Sequence, residues 1–207
     1  VAGIVGRVAG SDKTNRTLIS GCKVKDNVSI TASGAYVGGI VGAAVGIGSS
    51  TPVIENCTLE SAGKVLAGFN ANNTSHIAGG IAGLATNATF TGCNVYGEIG
   101  SNGANCVATA GGVAGLTIGT VNISGGVVKP VLTPVKSGQF SLSYGLLVGS
   151  AFNNCVLTAD NVICGGSVSV GETDMGVNSS NFNDYLCKNV HFVTNNTPTF
   201  TNCTWGE

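Results

Sequence analysis

The stretch ISGCKV, residues 19–24, places a cysteine directly after a glycine and between two apolar residues, and related stretches return along the whole chain. Each copy has an apolar residue, a Gly or Asn two positions later, a position that is mostly Cys, and an apolar residue two beyond that. In that order, the copies are Ile19, Gly21, Cys22, Val24; Ile54, Asn56, Cys57, Leu59; Phe90, Gly92, Cys93, Val95; Ile123, Gly125, Gly126, Val128; Phe152, Asn154, Cys155, Leu157; and Phe200, Asn202, Cys203, Trp205. Gly and Asn adopt a positive φ at least cost, so each copy predicts a strand, a one-residue left-handed corner and a second strand.

A glycine-rich block alternates with this motif. Its copies are GIVG at 3–6, GGIVG at 38–42, GGIAG at 79–83, GGVAG at 111–115 and YGLLVG at 144–149. We expect a sixth, decayed copy at Gly176 and Val177. Successive cysteine positions lie 35, 36, 33, 29 and 48 residues apart, and a period of this kind indicates stacked repeats.

The repeat predicts an all-β solenoid. Two or three short strands cannot bury their own apolar face, but stacked copies bury one another's. Side chains alternate along a strand, so the cysteine position and the apolar position two beyond it point the same way and form columns inside the stack. We therefore predict a single domain over residues 1–207, a parallel β-helix of about five to six coils. An immunoglobulin-like or jelly-roll sandwich is the alternative.

Composition agrees with a turn-dense β protein and narrows the classes of partner. The chain has 33 Gly among 207 residues, 9% charged residues and a mean hydropathy of +0.35, which is too apolar for disorder and too rich in Gly for a helical protein. The net charge is −1, with no run of either sign, so we expect no binding to nucleic acid. The apolar run at 35–48 is shorter than the roughly 20 residues that span a bilayer, so we expect no membrane span in this segment.

The alternation of GGIVG or GGIAG with the pattern I-x-N-C-x-L at 54–59 resembles the GLUG-type repeats of large bacterial surface and secreted proteins, which are frequent in gut Bacteroides-like organisms. The resemblance covers Gly3 to about Leu157 and fades beyond it. It implies a right-handed parallel β-helix and extracellular adhesion, or a stalk beside another module. It brings no catalytic residues with it.

The cysteines are predicted to fill the core. A structural zinc site needs four converging ligands, and the chain has no C-x-x-C or Cys/His pairing. Neighbouring rungs hold Cβ atoms near the rung spacing, beyond the usual 3.5–4.5 Å of a disulfide. We therefore expect no metal or cofactor, and we expect the five motif cysteines to resist thiol reagents until the chain unfolds. The other three, Cys106, Cys164 and Cys187, could form disulfides in an exported protein, and their state stays open.

Carbohydrate cleavage is the rival function, because parallel β-helices also carry polysaccharide lyases and glycoside hydrolases. Such enzymes need carboxylates clustered on one outer face. Glu98 and Asp160 both lie five residues past a predicted cysteine position, about two coils apart, with Lys25 and Lys64 as the nearest bases. They are the candidate catalytic pair, and solubilising surface charges are the alternative interpretation.

The pattern favours an exported, non-catalytic stalk or adhesion module of a bacterial cell-surface protein. Its outer faces would bind a host or bacterial surface protein or glycan, and Tyr36 and Tyr144, just before glycine blocks, are the candidate contacts. We expect the natural chain to continue upstream, with this segment as its C-terminal part. Residues 172–196 interrupt the repeat and are expected to form a cap or a bulge.

Overall fold

The structure is a computed structural model, and it describes residues 1–10, 17–33, 36–68, 76–102, 108–135, 142–188 and 197–206. Its parallel strands stack into a β-solenoid, as the repeat predicted. The described residues form about four complete turns, with a partial turn at each end. Every strand that joins one turn to the next is parallel, which excludes the sandwich alternative.

The strands follow one another turn by turn. The partial first turn contains β1 (Val5–Gly10), β2 (Leu18–Ser20), β3 (Lys23–Val24) and β4 (Ser29–Ala32). The first complete turn contains β5 (Tyr36–Gly38), β6 (Val41–Gly46), β7 (Val53–Glu55), β8 (Thr58–Leu59) and β9 (Lys64–Gly68). The second contains β10 (His76–Gly79), β11 (Ala82–Thr91), β12 (Asn94–Val95) and β13 (Glu98–Asn102). The third contains β14 (Ala108–Gly111), β15 (Ala114–Ser124), β16 (Val127–Val128) and β17 (Val131–Thr133). The fourth contains β18 (Ser143–Gly145), β19 (Val148–Asp160), β20 (Ile163–Cys164) and β21 (Ser167–Val170). The chain then forms β22 (Thr173–Asp174), a short 3-10 helix (Phe182–Tyr185), β23 (Thr199–Thr201) and β24 (Thr204–Trp205).

These strands form four sheets that run along the solenoid. Sheet A holds β5, β10, β14 and β18, and sheet B holds β1, β2, β6, β7, β11, β15, β19 and β23. Sheet C holds β3, β8, β12, β16, β20 and β24, and sheet D holds β4, β9, β13, β17, β21 and the antiparallel β22. The cysteine motif bends the chain from sheet B into sheet C, and the glycine block bends it from sheet A into sheet B.

The apolar motif positions form columns inside the solenoid. Phe90 pairs with Ile54 on one side and Ile123 on the other. In sheet C, Val95 pairs with Leu59, and both are buried. The buried members of these columns are Ile19, Ile54, Phe90, Ile123, Val24, Leu59, Val95 and Val128. In the last turn, Phe200 and Trp205 are half-buried and pack against this core.

The corner residues between sheets B and C adopt a left-handed backbone. Gly21, Asn56, Gly92, Gly125 and Asn202 have φ values of +66°, +53°, +61°, +63° and +49°. A residue with positive φ therefore makes the bend in each of these turns, which explains why only Gly and Asn occur there. In the fourth copy, Gly126 follows Gly125 with a φ of +85°.

The fifth copy of the motif lies further along the chain than we predicted from the sequence, so that prediction is wrong. Ile123 pairs with Ala159, and Val128 pairs with Cys164. The fifth copy is therefore Ala159, Asn161, Val162 and Cys164, instead of Phe152, Asn154, Cys155 and Leu157. Asn161 is the corner residue, with a φ of +56°.

The predicted residues lie within β19 instead. Phe152 pairs with Ile118 and is half-buried, whereas Cys155 and Leu157 are buried. Asn154 is part of the strand, but its side chain is outside the described part of the structure. The register shifts opposite residues 118–120, and this irregularity contains a chance match to the motif. The true copy has Ala and Val where other copies have a large apolar residue and Cys, so it was overlooked.

The corner at Asn161 gives a test of this register. Replacing Asn161 with glycine will leave the free energy of unfolding nearly unchanged, because Gly accepts positive φ freely. Replacing it with valine will lower that free energy by about 1–2 kcal/mol, since a left-handed backbone crowds its Cβ. Urea unfolding of both variants measures the difference.

Thr204 is the matched control, because it lies at an exposed, extended position in β24. There the order will reverse, with valine tolerated and glycine destabilising, as expected for a strand. If glycine and valine ranked the same in stability at Asn161 and at Thr204, the corner would not lie at Asn161.

The glycine blocks also stack, and the sixth one is not where the sequence predicted it. Ile81 N–H donates to Val113 O at 3.0 Å, and Val113 N–H donates to Leu147 O at 2.8 Å. The next residue in this series is Leu186, whose carbonyl accepts from Leu147 N–H at 3.1 Å. Leu186 is fully buried. It takes the place that we assigned to Gly176 and Val177, and the stretch FNDYLCK at 182–188 has no glycine to mark the bend.

Residues 172–184 leave the regular path of the solenoid, and the chain returns to it at residues 185–188, which hydrogen-bond to the turn below. β22 folds back antiparallel on β21, and the 3-10 helix follows. Phe182 in this helix packs against Trp205 with ring centroids 5.8 Å apart, and Tyr185 stacks on Tyr144 at 6.4 Å. Residues 189–196 lie outside the described residues, so the role of 172–196 as a cap stays a prediction.

The apolar run at 35–48 contains β5 and β6. In the ranges that the structure describes, no helix has the length and apolar character of a membrane span.

Candidate functional site

Cys22, Cys57 and Cys93 lie directly above one another at the corner between sheets B and C, and we call them the thiol column. Thr58 N–H donates to Cys22 O, and Asn94 N–H donates to Cys57 O, both at 2.8 Å. These ladder hydrogen bonds fix the three cysteines in the same register of three successive turns.

The thiols of the column lean in the same direction. Cys57 Sγ lies 3.8 Å from Ile19 O, and Cys93 Sγ lies 3.6 Å from Ile54 O, each in the preceding turn. Cys57 and Cys93 are buried, whereas Cys22, in the partial first turn, is half-buried. The expectation of full burial therefore fails for Cys22, and it fails also for Cys203, which is half-buried in the last turn. No described turn stacks on the outer side of either cysteine.

Hydrogen bonding within the column separates the acidities of its thiols. A hydrogen bond from Cys93 lowers the pKa of Cys57 to about 7. The same bond, together with burial, raises the pKa of Cys93. Burial raises the pKa of Cys22. The thiols of Cys57 and Cys93 therefore titrate as an interacting pair.

A second thiol pair, Cys164 and Cys203, lies between the fourth turn and the last turn. Cys164 belongs to the corrected fifth copy, so the sequence did not place it beside Cys203. A hydrogen bond from Cys164 lowers the pKa of Cys203 to about 7, and the pKa of Cys164 is raised. Cys203 is half-buried and Cys164 is buried. The reactive member of this pair is thus the accessible one.

The seven described cysteines are free thiols, and Cys106 lies outside the described residues. Burial raises the pKa of Cys155, whose Sγ lies 3.4 Å from the buried Thr117 Oγ1. Burial also raises the pKa of Cys187 to about 12. These two thiols are poor nucleophiles at neutral pH.

The described thiols predict a specific pH profile for alkylation. Cys203 will react with iodoacetamide at a rate that rises through about pH 7, because the thiolate forms above its lowered pKa. Peptide mapping by mass spectrometry at short reaction times measures this rate. Cys57 and Cys93 will stay unlabelled in the folded protein because they are buried.

Replacing Cys164 with alanine removes the hydrogen bond that lowers the pKa of Cys203. The midpoint of the Cys203 profile will then move up toward the ordinary value of about 8.5. An unchanged midpoint would mean that Cys164 does not set the acidity of Cys203.

The two candidate catalytic carboxylates do not meet, and they do not share a register. Glu98 begins β13 in sheet D and pairs with Lys64 and Val131. Asp160 ends β19 in sheet B and pairs with Ser124. The prediction was wrong because it counted Asp160 from Cys155, which is not at the corner position.

Each of these carboxylates has local partners. Glu98 Oε2 forms an ion pair with Lys64 Nζ at 2.6 Å, and Thr133 donates to Glu98 Oε1 at 3.2 Å. Asp160 accepts hydrogen bonds from Thr201 at 2.7 Å and Asn202 at 2.9 Å, which lower its pKa. Asp160 therefore stays ionised and does not have the raised pKa of a general acid.

The two candidate tyrosines also differ from each other. Tyr144 pairs with Ala110 in an inward column, and 7% of its surface is exposed. Burial raises its pKa. Tyr36 pairs with Ile77, one residue out of phase with that column, and is half-buried. Successive side chains of a strand point to opposite sides, so the two tyrosines point in opposite directions. Tyr144 points into the solenoid and is not available as a surface contact.

The outer side of sheet B carries a feature that the sequence analysis did not identify, and we call it the polar face. It has two columns of four residues on successive strands. Its members are Thr89, Thr91, Asn122, Ser124, Thr158, Asp160, Thr199 and Thr201. They flank the inward column of Phe90, Ile123, Ala159 and Phe200. A polar residue on each side of this apolar motif position is the sequence pattern that could have predicted the face.

Hydrogen bonds join the polar face from turn to turn. Thr158 donates to Asn122 Oδ1 at 2.7 Å, and Ser124 bonds to Thr91 Oγ1 at 3.3 Å. Its residues are half-buried or exposed. The face thus presents ordered hydroxyl, amide and carboxylate groups to solvent.

Among the residues that the structure places, no three His, Cys, Asp or Glu side chains form a group that could hold a metal ion. Comparisons with protein-family models, curated proteins and solved structures find no match to this chain.

Proposed function

We propose that this chain is a non-catalytic structural and adhesion module of an exported bacterial surface protein of the GLUG-repeat type. The polar face carries the proposal. It is an array of eight polar side chains on four successive strands, held in place by its own hydrogen bonds and open to solvent. A solenoid suits this role because it repeats one surface pattern along its length.

The chemistry of the face favours a neutral polar partner. Hydroxyl and amide groups both donate and accept hydrogen bonds, and Asp160 is the single charged residue of the face. A glycan, or a polar segment of a surface protein, can match such groups at the strand spacing of about 4.8 Å. With no Lys or Arg among its members, the face does not suit a polyanion.

The positions of the carboxylates support binding rather than hydrolysis. Glycoside hydrolases need two carboxylates facing each other across the scissile bond. Glu98 is paired with Lys64 on sheet D, while Asp160 lies on sheet B. Glu98 and Asp160 therefore do not form the facing pair of carboxylates that cleavage requires.

Binding of the chain to an array of bacterial and host glycans and to immobilised extracellular-matrix proteins tests the proposal. The double variant Thr91→Ala/Thr158→Ala should weaken the binding detected by roughly tenfold, the effect of losing two hydrogen bonds of about 0.5–1.5 kcal/mol each. Ser29→Ala/Thr31→Ala is the matched control, because these two hydroxyls, 3.3 Å apart, lie exposed on sheet D.

Two outcomes would overturn the proposal. One is equal binding by the polar-face variant and the wild type. The other is release of reducing sugar from a polysaccharide that is lost in Glu98→Gln, which would make the protein an enzyme.

A further inference from the structure

We propose that the thiol column binds one soft divalent cation of the Hg(II) type, held linearly between the thiolates of two neighbouring turns. The site is either Cys22 with Cys57 or Cys57 with Cys93. This inference is independent of the proposed adhesive function.

The spacing of the turns suits this coordination. Stacked strands lie about 4.7–4.9 Å apart, and the three cysteines share one register. A thiolate–metal bond is about 2.3 Å long for zinc and similar or slightly longer for Hg(II). Two such bonds in a line span one turn, so the cation sits midway between two stacked sulfur atoms.

The same spacing disfavours the other uses of paired thiols. A disulfide requires an S–S bond of about 2.05 Å and Cβ atoms about 3.5–4.5 Å apart, which parallel side chains one turn apart exceed. A structural zinc ion requires four ligands in a tetrahedron. The column offers sulfur atoms in a row, which suits a cation that prefers two ligands.

Charge balance selects a divalent ion. Binding follows 2 RSH + Hg²⁺ → RS–Hg–SR + 2 H⁺, so the complex is neutral. A monovalent soft ion between two thiolates would leave a net negative charge among Ile19, Ile54 and other buried apolar side chains, and such burial is costly. The interior therefore favours the neutral complex.

The column has three thiols but room for one ion. Both possible sites use Cys57. Once Cys57 is bound to an ion at one site, the remaining cysteine has no second thiolate with which to bind another ion. Cys22 and Cys93 are thus alternatives to each other, and Cys57 is required in either case. Cys22 is half-buried in the partial first turn and provides the entry.

The test measures mercury retained per chain after gel filtration with an excess of a small monothiol, which strips singly bound ions. All variants carry Cys187→Ala and Cys203→Ala, which remove the interactions of Cys187 with Cys155 and of Cys203 with Cys164 among the described cysteines. We expect the parent to retain one ion, Cys22→Ala and Cys93→Ala each to retain one, and Cys57→Ala and the Cys22→Ala/Cys93→Ala double variant to retain none. Cys155→Ala is the matched control, a buried thiol outside the column, and should retain one ion.

One further variant and one further measurement keep the outcome decisive. Cys57→Val is a second variant, because Val162 occupies the equivalent position in the corrected fifth copy. X-ray absorption at the mercury edge should show two sulfur ligands. Retention that survives loss of Cys57, retention that requires Cys22 and Cys93 together, or a coordination number other than two would overturn the proposal.

Discussion

Replacing Phe90 with alanine will lower the free energy of unfolding by about 3–5 kcal/mol. Phe90 is fully buried and pairs with Ile54 and Ile123 in the adjacent turns. The cavity left by the ring cannot collapse, because backbone hydrogen bonds on both sides hold the turns at a fixed spacing. For example, Thr89 N–H donates to Pro52 O at 3.0 Å. Urea unfolding followed by far-UV circular dichroism and by Trp205 fluorescence measures the loss.

Ile163→Ala is the control for Phe90→Ala. Ile163 also belongs to a strand that leaves the same kind of corner, but it points outward and is 42% exposed. Its truncation should change stability by no more than about 0.5 kcal/mol. Similar losses in both variants would contradict the inward column. Phe90→Leu, which keeps most of the volume, should cost much less than Phe90→Ala.

The inward columns could be predicted because their signals are local. A Gly or Asn at a positive-φ corner and apolar residues at fixed offsets are properties of a few neighbouring residues. Their recurrence at Gly21, Asn56 and Gly92 gives the stacking. The parallel solenoid therefore followed from the sequence before any contact between turns was known.

The fifth copy of the motif could not be predicted in the same way, because its register depends on pairing between distant strands. The bulge opposite Gly119 adds residues to β19, and Ala159 and Val162 replace the usual large apolar residue and cysteine. The position of Asp160 was counted from the false copy that begins at Phe152. Its apparent alignment with Glu98 was therefore wrong as well. The candidate catalytic pair was a consequence of that one error.

The candidate site depends on contacts between turns, and sequence motifs do not encode them directly. The stacking of Cys22, Cys57 and Cys93 was predictable, since they share one motif position. The contact between Cys164 and Cys203 was not, because it joins two different motif positions around a corner. The polar face was overlooked for a related reason: its residues vary between Thr, Ser, Asn and Asp, and only the register reveals that they align.

Replacing Gly79 with alanine will lower the free energy of unfolding by about 3 kcal/mol, the upper part of the range for overpacking. A Cβ on Gly79 would overlap the carbonyl oxygen of Ala82, at the bend from sheet A into sheet B. Gly38 and Gly111, at the same position of the neighbouring turns, meet the carbonyls of Val41 and Ala114 in the same way. The obstacle is backbone held by the ladder, so it cannot move aside as a flexible side chain would. Thermal and urea unfolding of Gly79→Ala measures the effect.

Gly6→Ala is the matched control, because Gly6 also belongs to a glycine block but a Cβ added to it would meet no described atom within 4 Å. Alanine there should change stability by less than about 0.5 kcal/mol, or stabilise slightly by restricting the unfolded chain. A large loss at Gly79 with none at Gly6 would show that the glycines of the block are required by close backbone approach at the bend. Equal effects at both positions would mean that the glycines are retained for some other reason, and the steric account of the bend would fail.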